Sequence, residues 1–505
     1  MTNTESEKDC VNHDAGLKGH LKSIFDKSWV QKITIYRIIA AIGLIIAIAL
    51  ALAAPAHMLE PDDWSYYYAI QNFAEGKLVV NDSIHNLQSS ETQAQVGHSI
   101  DYVNIGPDKW ALEKAPGYVV YEIPFELKGI PRWGNVILAV GVVIVTFLLL
   151  KRLLNEKAAC IGSLLMLFTP ASLIMLNRSY MDSFASGAFL VIGGALYIYW
   201  VLERNHIGRR QSFSLLFFAF LFIAWSVVTR YTNVVVAVIF AIHYEFLLIR
   251  ALIKRMKNDY LFEIPAVLLG IGIPLCFFLT YNKVVFGSPL DYGYRYSQGD
   301  ITFAFQHIGE VTQTGQSVVW QIIKGNFQSA PRDLLLGFPL LFLAIPVFVI
   351  ALWSAFRRNR DDWSNLSPVL RWDILLLLLG WFAGVFLLYL TYEWTSTIGP
   401  RPFIVFARFY LPGLFPLVSV SALLLSKFRV KLALTITAIL LIVGSVFYFQ
   451  SLNSEKNQPV AGPPVGVNVP PHGNQPPRLQ PNGQTAPPST QPPPPPSGPP
   501  YSIPP

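Results

Sequence analysis

Two adjacent carboxylates, Asp62 and Asp63, stand in Glu60-Pro61-Asp62-Asp63-Trp64, directly after a long apolar stretch. Ionisable groups at the edge of an apolar span are costly to desolvate, so they tend to be paired or functional. A positioned carboxylate can serve as a general base. Asp182 ends a second polar stretch, Asn177-Arg178-Ser179-Tyr180-Met181-Asp182. Cations recur in similar settings. Lys114 lies in Glu113-Lys114-Ala115-Pro116-Gly117-Tyr118 and Arg230 in Thr229-Arg230-Tyr231-Thr232-Asn233. Arg401 lies in Gly399-Pro400-Arg401-Pro402 and Arg408 in Phe406-Ala407-Arg408-Phe409-Tyr410-Leu411-Pro412. The guanidinium fork matches phosphate oxygens and the ammonium is a compact point charge, so this set suits a phosphate ester.

Each group also has a bland alternative. One of the two Asp can cap the helix that follows. Lys114 can snorkel to lipid headgroups. Arg178 can pair with Asp182, and each Arg with a nearby acid. His57, His85, His98 and His307 lack metal-ligand spacing, and Cys10, Cys160 and Cys276 suggest neither a disulfide nor a metal site. No motif calls for a cofactor; a divalent cation stays open.

The elements that position these residues are membrane spans. The chain has 505 residues, 52% hydrophobic and 14% charged, against about 25% charged in soluble domains. Aromatics reach 13%, as expected where amphipathic rings sit at headgroup level. Runs of about 20 apolar residues mark spans. Eleven candidates follow: Ile33–Ala54, Trp133–Leu150, Ala158–Leu176, Ser183–Val201, Phe213–Val228, Val234–Ile249, Ile264–Tyr281, Leu334–Phe356, Trp372–Thr391, Phe409–Leu425 and Leu432–Phe449. The first begins after a polar segment and reads as a retained signal anchor. The expected fold is an all-α polytopic bundle with a large first extracytoplasmic loop at 56–132.

Basic residues cluster in alternate loops: Lys151-Arg152, Arg209-Arg210, Lys254-Arg255, Arg357-Arg358, and Lys427 with Arg429 and Lys431. They mark the cytoplasmic side and explain the net charge of +7 without nucleic acid. The segment 1–32 is then a cytoplasmic tail, 33–450 the membrane domain, and 451–505 an extracytoplasmic tail. Of the 37 prolines, 19 lie beyond Gln458, a composition that forms no packed core. The first loop should also hold an interfacial helix from Trp64, closed by Gly76.

The order of these motifs resembles the GT-C superfamily of polyprenyl-phosphate-sugar glycosyltransferases. The resemblance is to the branch of protein O-mannosyltransferases and of the aminoarabinose transferases that modify lipid A. There an acidic pair follows the first span and opens an interfacial helix, as Asp62-Asp63-Trp64-Ser65-Tyr66-Tyr67 does here. A Glu-Lys-Pro segment precedes the second span; here Ala115 is interposed. An Asp at the outer start of the fourth span matches Asp182. Phe286-Gly287-Ser288-Pro289 and Arg408-Phe409-Tyr410-Leu411-Pro412 look like later family segments. Asp63 stands where Glu is frequent in relatives, and no WWDYG-like segment appears.

The resemblance implies transfer of a sugar from a polyprenyl-phosphate donor to an acceptor hydroxyl on a lipid, glycan or protein. It implies Asp62, Asp63 and Asp182 as catalytic groups, and Lys114, Arg408, Arg230 and Arg401 on the donor phosphate. Glu113, Tyr118 and Tyr67 are the candidates for acceptor or sugar contact. A transporter or flippase is the main rival, though such proteins usually place ionisable groups in mid-span and repeat their halves. A polymerase or ligase of lipid-linked glycans is the second.

Overall fold

The computed structural model describes residues 34–53, 61–81, 101–107, 109–253, 260–296, 303–311, 315–357, 371–392 and 407–456. Arg401, Cys10, His57, His85, His98, the segment 1–32 and the Pro-rich stretch beyond residue 456 lie outside the described residues.

Apolar runs of this length become helices because a helix satisfies its own backbone without water. The order begins with α1 (Ile35–Ala53), α2 (Pro61–Ala74), β1 (Val79–Asn81), β2 (Tyr102–Gly106) and β3 (Lys109–Leu112). It continues with α3 (Gly117–Leu127), α4 (Arg132–Leu153), α5 (Glu156–Phe168), α6 (Pro170–Asn177), α7 (Asp182–Glu203), α8 (Arg209–Thr229) and α9 (Val234–Ile253). Then come α10 (Tyr260–Phe286), α11 (Val318–Gly337), α12 (Leu341–Arg357), α13 (Trp372–Leu390), a 3-10 segment (Arg408–Gly413), α14 (Leu414–Lys427) and α15 (Val430–Lys456). Among the described residues, 9 helices are long and apolar enough to cross a membrane, or 10 if the bent pair α5–α6 is one span.

All eleven apolar stretches contain helix, with two departures from simple spans. Ala158–Leu176 breaks at Thr169-Pro170, where the axis turns by 58°; Thr169 is extended and Pro170 opens the next helix, because proline disfavours helical backbone before it. Leu334–Phe356 breaks around Pro339, leaving α12 only 17 residues long. The final helix runs to Lys456, past the expected boundary at 450. The helix expected from Trp64 starts earlier, so both Asp62 and Asp63 lie in its first turn. Gly76 follows it with φ +76, the left-handed conformation that glycine adopts without strain.

The three-stranded sheet in the first loop, order β1-β3-β2 and antiparallel, was not expected of an all-α chain. Its β2–β3 hairpin delivers residues 101 and 113 to the same place: Glu113 N–H donates to the Asp101 carbonyl at 3.0 Å.

The bundle has two distinct ends. At one, Lys151 and Arg37 both meet Glu156, at 2.8 Å and 2.7 Å, and Lys157 donates to the Phe428 carbonyl at 2.8 Å. At the other, Asn177 donates to the Ala51 carbonyl at 2.7 Å, Arg132 to that of Leu52 at 2.8 Å, and Tyr448 to that of Leu50 at 3.2 Å. Helices α1 and α15 therefore run in the same direction, from the basic end toward the second end. The core between them centres on α7, buried along most of its length.

Candidate functional site

The second end gathers the ionisable residues. Asp62 sits between two cations: its Oδ1 is 3.2 Å from Lys114 Nζ, and its Oδ2 accepts from Arg408 Nη2 at 2.8 Å. These three groups come from the first turn of α2, the turn after β3 and the 3-10 segment before α14. Lys114 Nζ also lies 3.4 Å from Asp101 Oδ2 and 4.0 Å from Glu113 Oε1.

Asp182 opens α7 and faces Arg230, with 3.9 Å between Oδ1 and Nη1. Arg230 donates to Ser183 Oγ at 3.0 Å and lies 5.0 Å from the Phe409 ring centre. Arg408 is 5.1 Å from that ring too and reaches Met181 Sδ, beside Asp182, at 3.2 Å. Asp62, Lys114, Asp182, Arg230 and Arg408 thus form one continuous cluster.

The two neighbouring acids have different surroundings. Asp63 is 1% exposed and its Oδ2 lies 3.2 Å from Arg178 Nη1. The local Arg178–Asp182 pairing open to the sequence does not form; Arg178 turns instead to Asp63, and Asp182 to Arg230. His307 pairs with Glu310 at 2.7 Å. Tyr67 and Tyr118 are fully buried. Tyr67 packs edge-on to Tyr180, and Tyr118 packs edge-on to Tyr66 while its hydroxyl donates to the Ser179 carbonyl. Both lie in the aromatic packing beneath the cluster, not on its surface.

Three contributors carried no sequence signal of their own. Asp101 is placed by the hairpin, and its N–H donates to Ser65 Oγ at 2.7 Å, one turn along α2 from Asp62. Tyr294 lies under Lys114, 5.4 Å from Nζ to the ring centre. Gly293 makes that approach feasible: a Cβ there would stand 2.2 Å from the Glu113 carbonyl oxygen. Tyr294 and Tyr292 in turn meet Tyr231, each at 5.7 Å.

The charges divide the site electrically. Burial alone would raise the Asp62 carboxyl, but the Lys114 ammonium and Arg408 guanidinium outweigh it and hold it well below the usual carboxylate range. Burial pushes Asp101 well above that range against the pull of Lys114, with Asp62 and Glu113 adding to the rise. Burial would lower Lys114, yet Asp101 and Asp62 keep its ammonium protonated. Under the cluster, burial pushes Glu122 up to about 10, with Glu126 adding to it.

A divalent cation fits this donor set poorly. Both Asp62 oxygens face cations, and among the described residues no group of three or more His, Cys, Asp or Glu side chains is placed to hold a metal.

No protein-family model matches the sequence, and no curated protein matches it. Solved structures do. The Archaeoglobus fulgidus oligosaccharyltransferase in its apo form is 14% identical, with a TM-score of 0.52 over 86% of this chain and 57% of that one. ArnT from Cupriavidus metallidurans bound to undecaprenyl phosphate is 12% identical, with a TM-score of 0.46 over 82% of this chain and 63% of that one. The chain thus spans a little over half the length of the oligosaccharyltransferase. The fold expected is the one found: a polytopic bundle of helices apolar enough to cross a membrane, sharing its fold with the oligosaccharyltransferase.

Proposed function

We propose that this chain is an integral-membrane glycosyltransferase that moves a sugar from a polyprenyl-phosphate donor to an acceptor hydroxyl with inversion. The observation that carries the reading is Asp62 held between Lys114 and Arg408 at one end of an apolar bundle. A carboxylate that can serve as base and two cations suited to a phosphate meet at that end of the bundle. The GT-C fold supports the same reaction class.

Asp62 takes the proton of the acceptor hydroxyl. The acceptor oxygen bonds to the anomeric carbon, and the bond from that carbon to the phosphate oxygen breaks, its electron pair leaving with the phosphate. Attack from the face opposite the leaving group inverts the centre. Lys114 and Arg408 stabilise charge gathering on the phosphate, with Arg230 beside them. Polyprenyl phosphate is a good leaving group, so no strong general acid is required. Asp182, paired with Arg230, orients sugar or acceptor. Asp63 acts through structure, anchoring the start of α2 to Arg178.

The basic end of the bundle supports a cytoplasmic placement for that end, and so an extracytoplasmic site, a cytoplasmic N-terminus and an extracytoplasmic C-terminal tail. Incubating purified protein with radiolabelled polyprenyl-phosphate sugar and envelope acceptors tests the reading. Label should pass to an acceptor and free polyprenyl phosphate should appear. Protein-dependent movement of intact donor across a vesicle, with no bond broken, would favour the flippase instead.

A further inference from the structure

Lys114 and Arg408 are the cations best placed for a donor phosphate, yet both are already engaged by one carboxylate, that of Asp62. Phosphate cannot take this seat while Asp62 holds it. Nor can Asp62 work well as a base there, because a carboxylate neutralised by two cations has little affinity for a proton. The resting arrangement is inactive on both counts, and a single rearrangement relieves both.

We propose that the donor phosphodiester displaces the Asp62 carboxylate from Lys114 and Arg408, so that donor binding itself releases the base, while Asp101 stays behind as the residue that positions the Lys114 ammonium. This rests on the functional reading above and specifies how its site is switched on.

The surroundings allow one side chain to move while its neighbours stay. The side chain of Asp63, next in sequence, is 2% exposed against that of Arg178 at 3%, so the start of α2 is pinned. The Asp62 side chain is 19% exposed and can turn without breaking that pair. Asp101 is fastened from the other side, its backbone joined to Ser65 and to Glu113. Its Oδ2, 3.4 Å from Nζ, remains on Lys114 after Asp62 has gone.

The charges balance. A phosphodiester bears one negative charge, as a carboxylate does, so the exchange leaves the buried charge unchanged. After transfer the phosphate is a monoester carrying up to two charges, and Asp62 carries the acceptor's proton. When Asp62 loses that proton to water it again competes for the two cations, which favours departure of the polyprenyl phosphate.

The test is binding of polyprenyl phosphate, without a sugar, to the purified full-length protein in nanodiscs. The exchange predicts that Asp62→Asn binds it about tenfold more tightly than wild type, since a competing charge is removed, although the same variant is strongly impaired in transfer. Unchanged or weaker binding by Asp62→Asn overturns the exchange. Asp101→Leu, which removes the oxygen beside Nζ, should bind several-fold more weakly and Asp101→Asn, which keeps one, should recover; wild-type binding by Asp101→Leu removes Asp101 from the proposal. Should Lys114→Gln and Arg408→Gln both bind as wild type, the phosphate sits elsewhere and the functional reading itself fails. If Asp62→Asn does not accumulate, difference infrared spectra of wild type decide: polyprenyl phosphate should shift a carboxylate stretch, and an unchanged spectrum overturns the exchange.

Discussion

Replacing Asp63 by Asn separates two acids that are adjacent in sequence and distinct in role. The Asp63–Arg178 contact of 3.2 Å joins side chains only 2% and 3% exposed. At that distance the attraction is about 5 kcal/mol at an effective dielectric constant near 20. Much of this is offset by the desolvation of both ions, so the intact pair adds little net stability. Taking the charge from one side is different, because a buried guanidinium then loses this counter-ion, at a cost of up to about 3–5 kcal/mol. Against a total stability of about 5–15 kcal/mol, that is a large fraction. Asp63→Asn should therefore melt well below wild type when unfolding is followed by loss of the monodisperse peak in detergent. Replacing both residues with apolar groups, Asp63→Leu with Arg178→Met, should recover much of the loss. An Asp63→Asn protein as stable as wild type but unable to transfer sugar would refute this assignment and place Asp63 in the chemistry.

Asp62→Asn should still insert and fold, melting below wild type because Lys114 and Arg408 lose a shared counter-ion, while transfer falls by about 10²–10⁴ as expected for a lost general base; retained turnover in the radiolabel assay contradicts this. Lys114→Gln should lower kcat/KM by about 10²–10³, with Lys114→Arg recovering part of it because one cation is kept. Glu122 is buried with both carboxyl oxygens lacking a hydrogen-bond partner among the described residues, and its pKa is raised to about 10. A raised pKa means that the folded state holds a proton which the unfolded chain has lost, so stability declines from about pH 4.5 up to about pH 10. Glu122→Gln removes this decline: it should be more stable than wild type by on the order of 3 kcal/mol at pH 7, with the gap closing toward pH 4.5 in thermal unfolding series. A gap of constant size across that range contradicts a neutral Glu122.

Much of the fold was legible because the bilayer imposes a simple rule, and runs such as Val234–Ile249 have few other ways to satisfy it. Breaks within runs were legible only in hindsight: Pro170 and Pro339 mark them, but hydropathy averages across a proline. The acid after the first span, Lys114, Asp182 and Arg408 were visible as charges out of place. Which charge meets which was not. Arg178 and Asp182 are one helical turn apart in sequence, yet the extended backbone at Arg178 and Met181 sends them to different partners. Asp101 was missed because no motif surrounds it. The alternating Tyr102-Val103-Asn104-Ile105 and the strand from Lys109 to Leu112, on either side of Gly106-Pro107, formed a hairpin signal that would have carried Asp101 to Lys114. Tyr67 and Tyr118 were singled out for their place in motifs, and burial sets both beneath the cluster.

The central claim is that residues from five distant parts of the chain build one seat for a lipid phosphate. A cryo-EM structure with polyprenyl phosphate bound tests it most directly. The account predicts the phosphate within about 4 Å of both Lys114 Nζ and the Arg408 guanidinium, the usual reach of an ion pair, and Asp62 turned away from them. Phosphate density at the basic end of the bundle, or with Asp62 still bridging both cations, would contradict it.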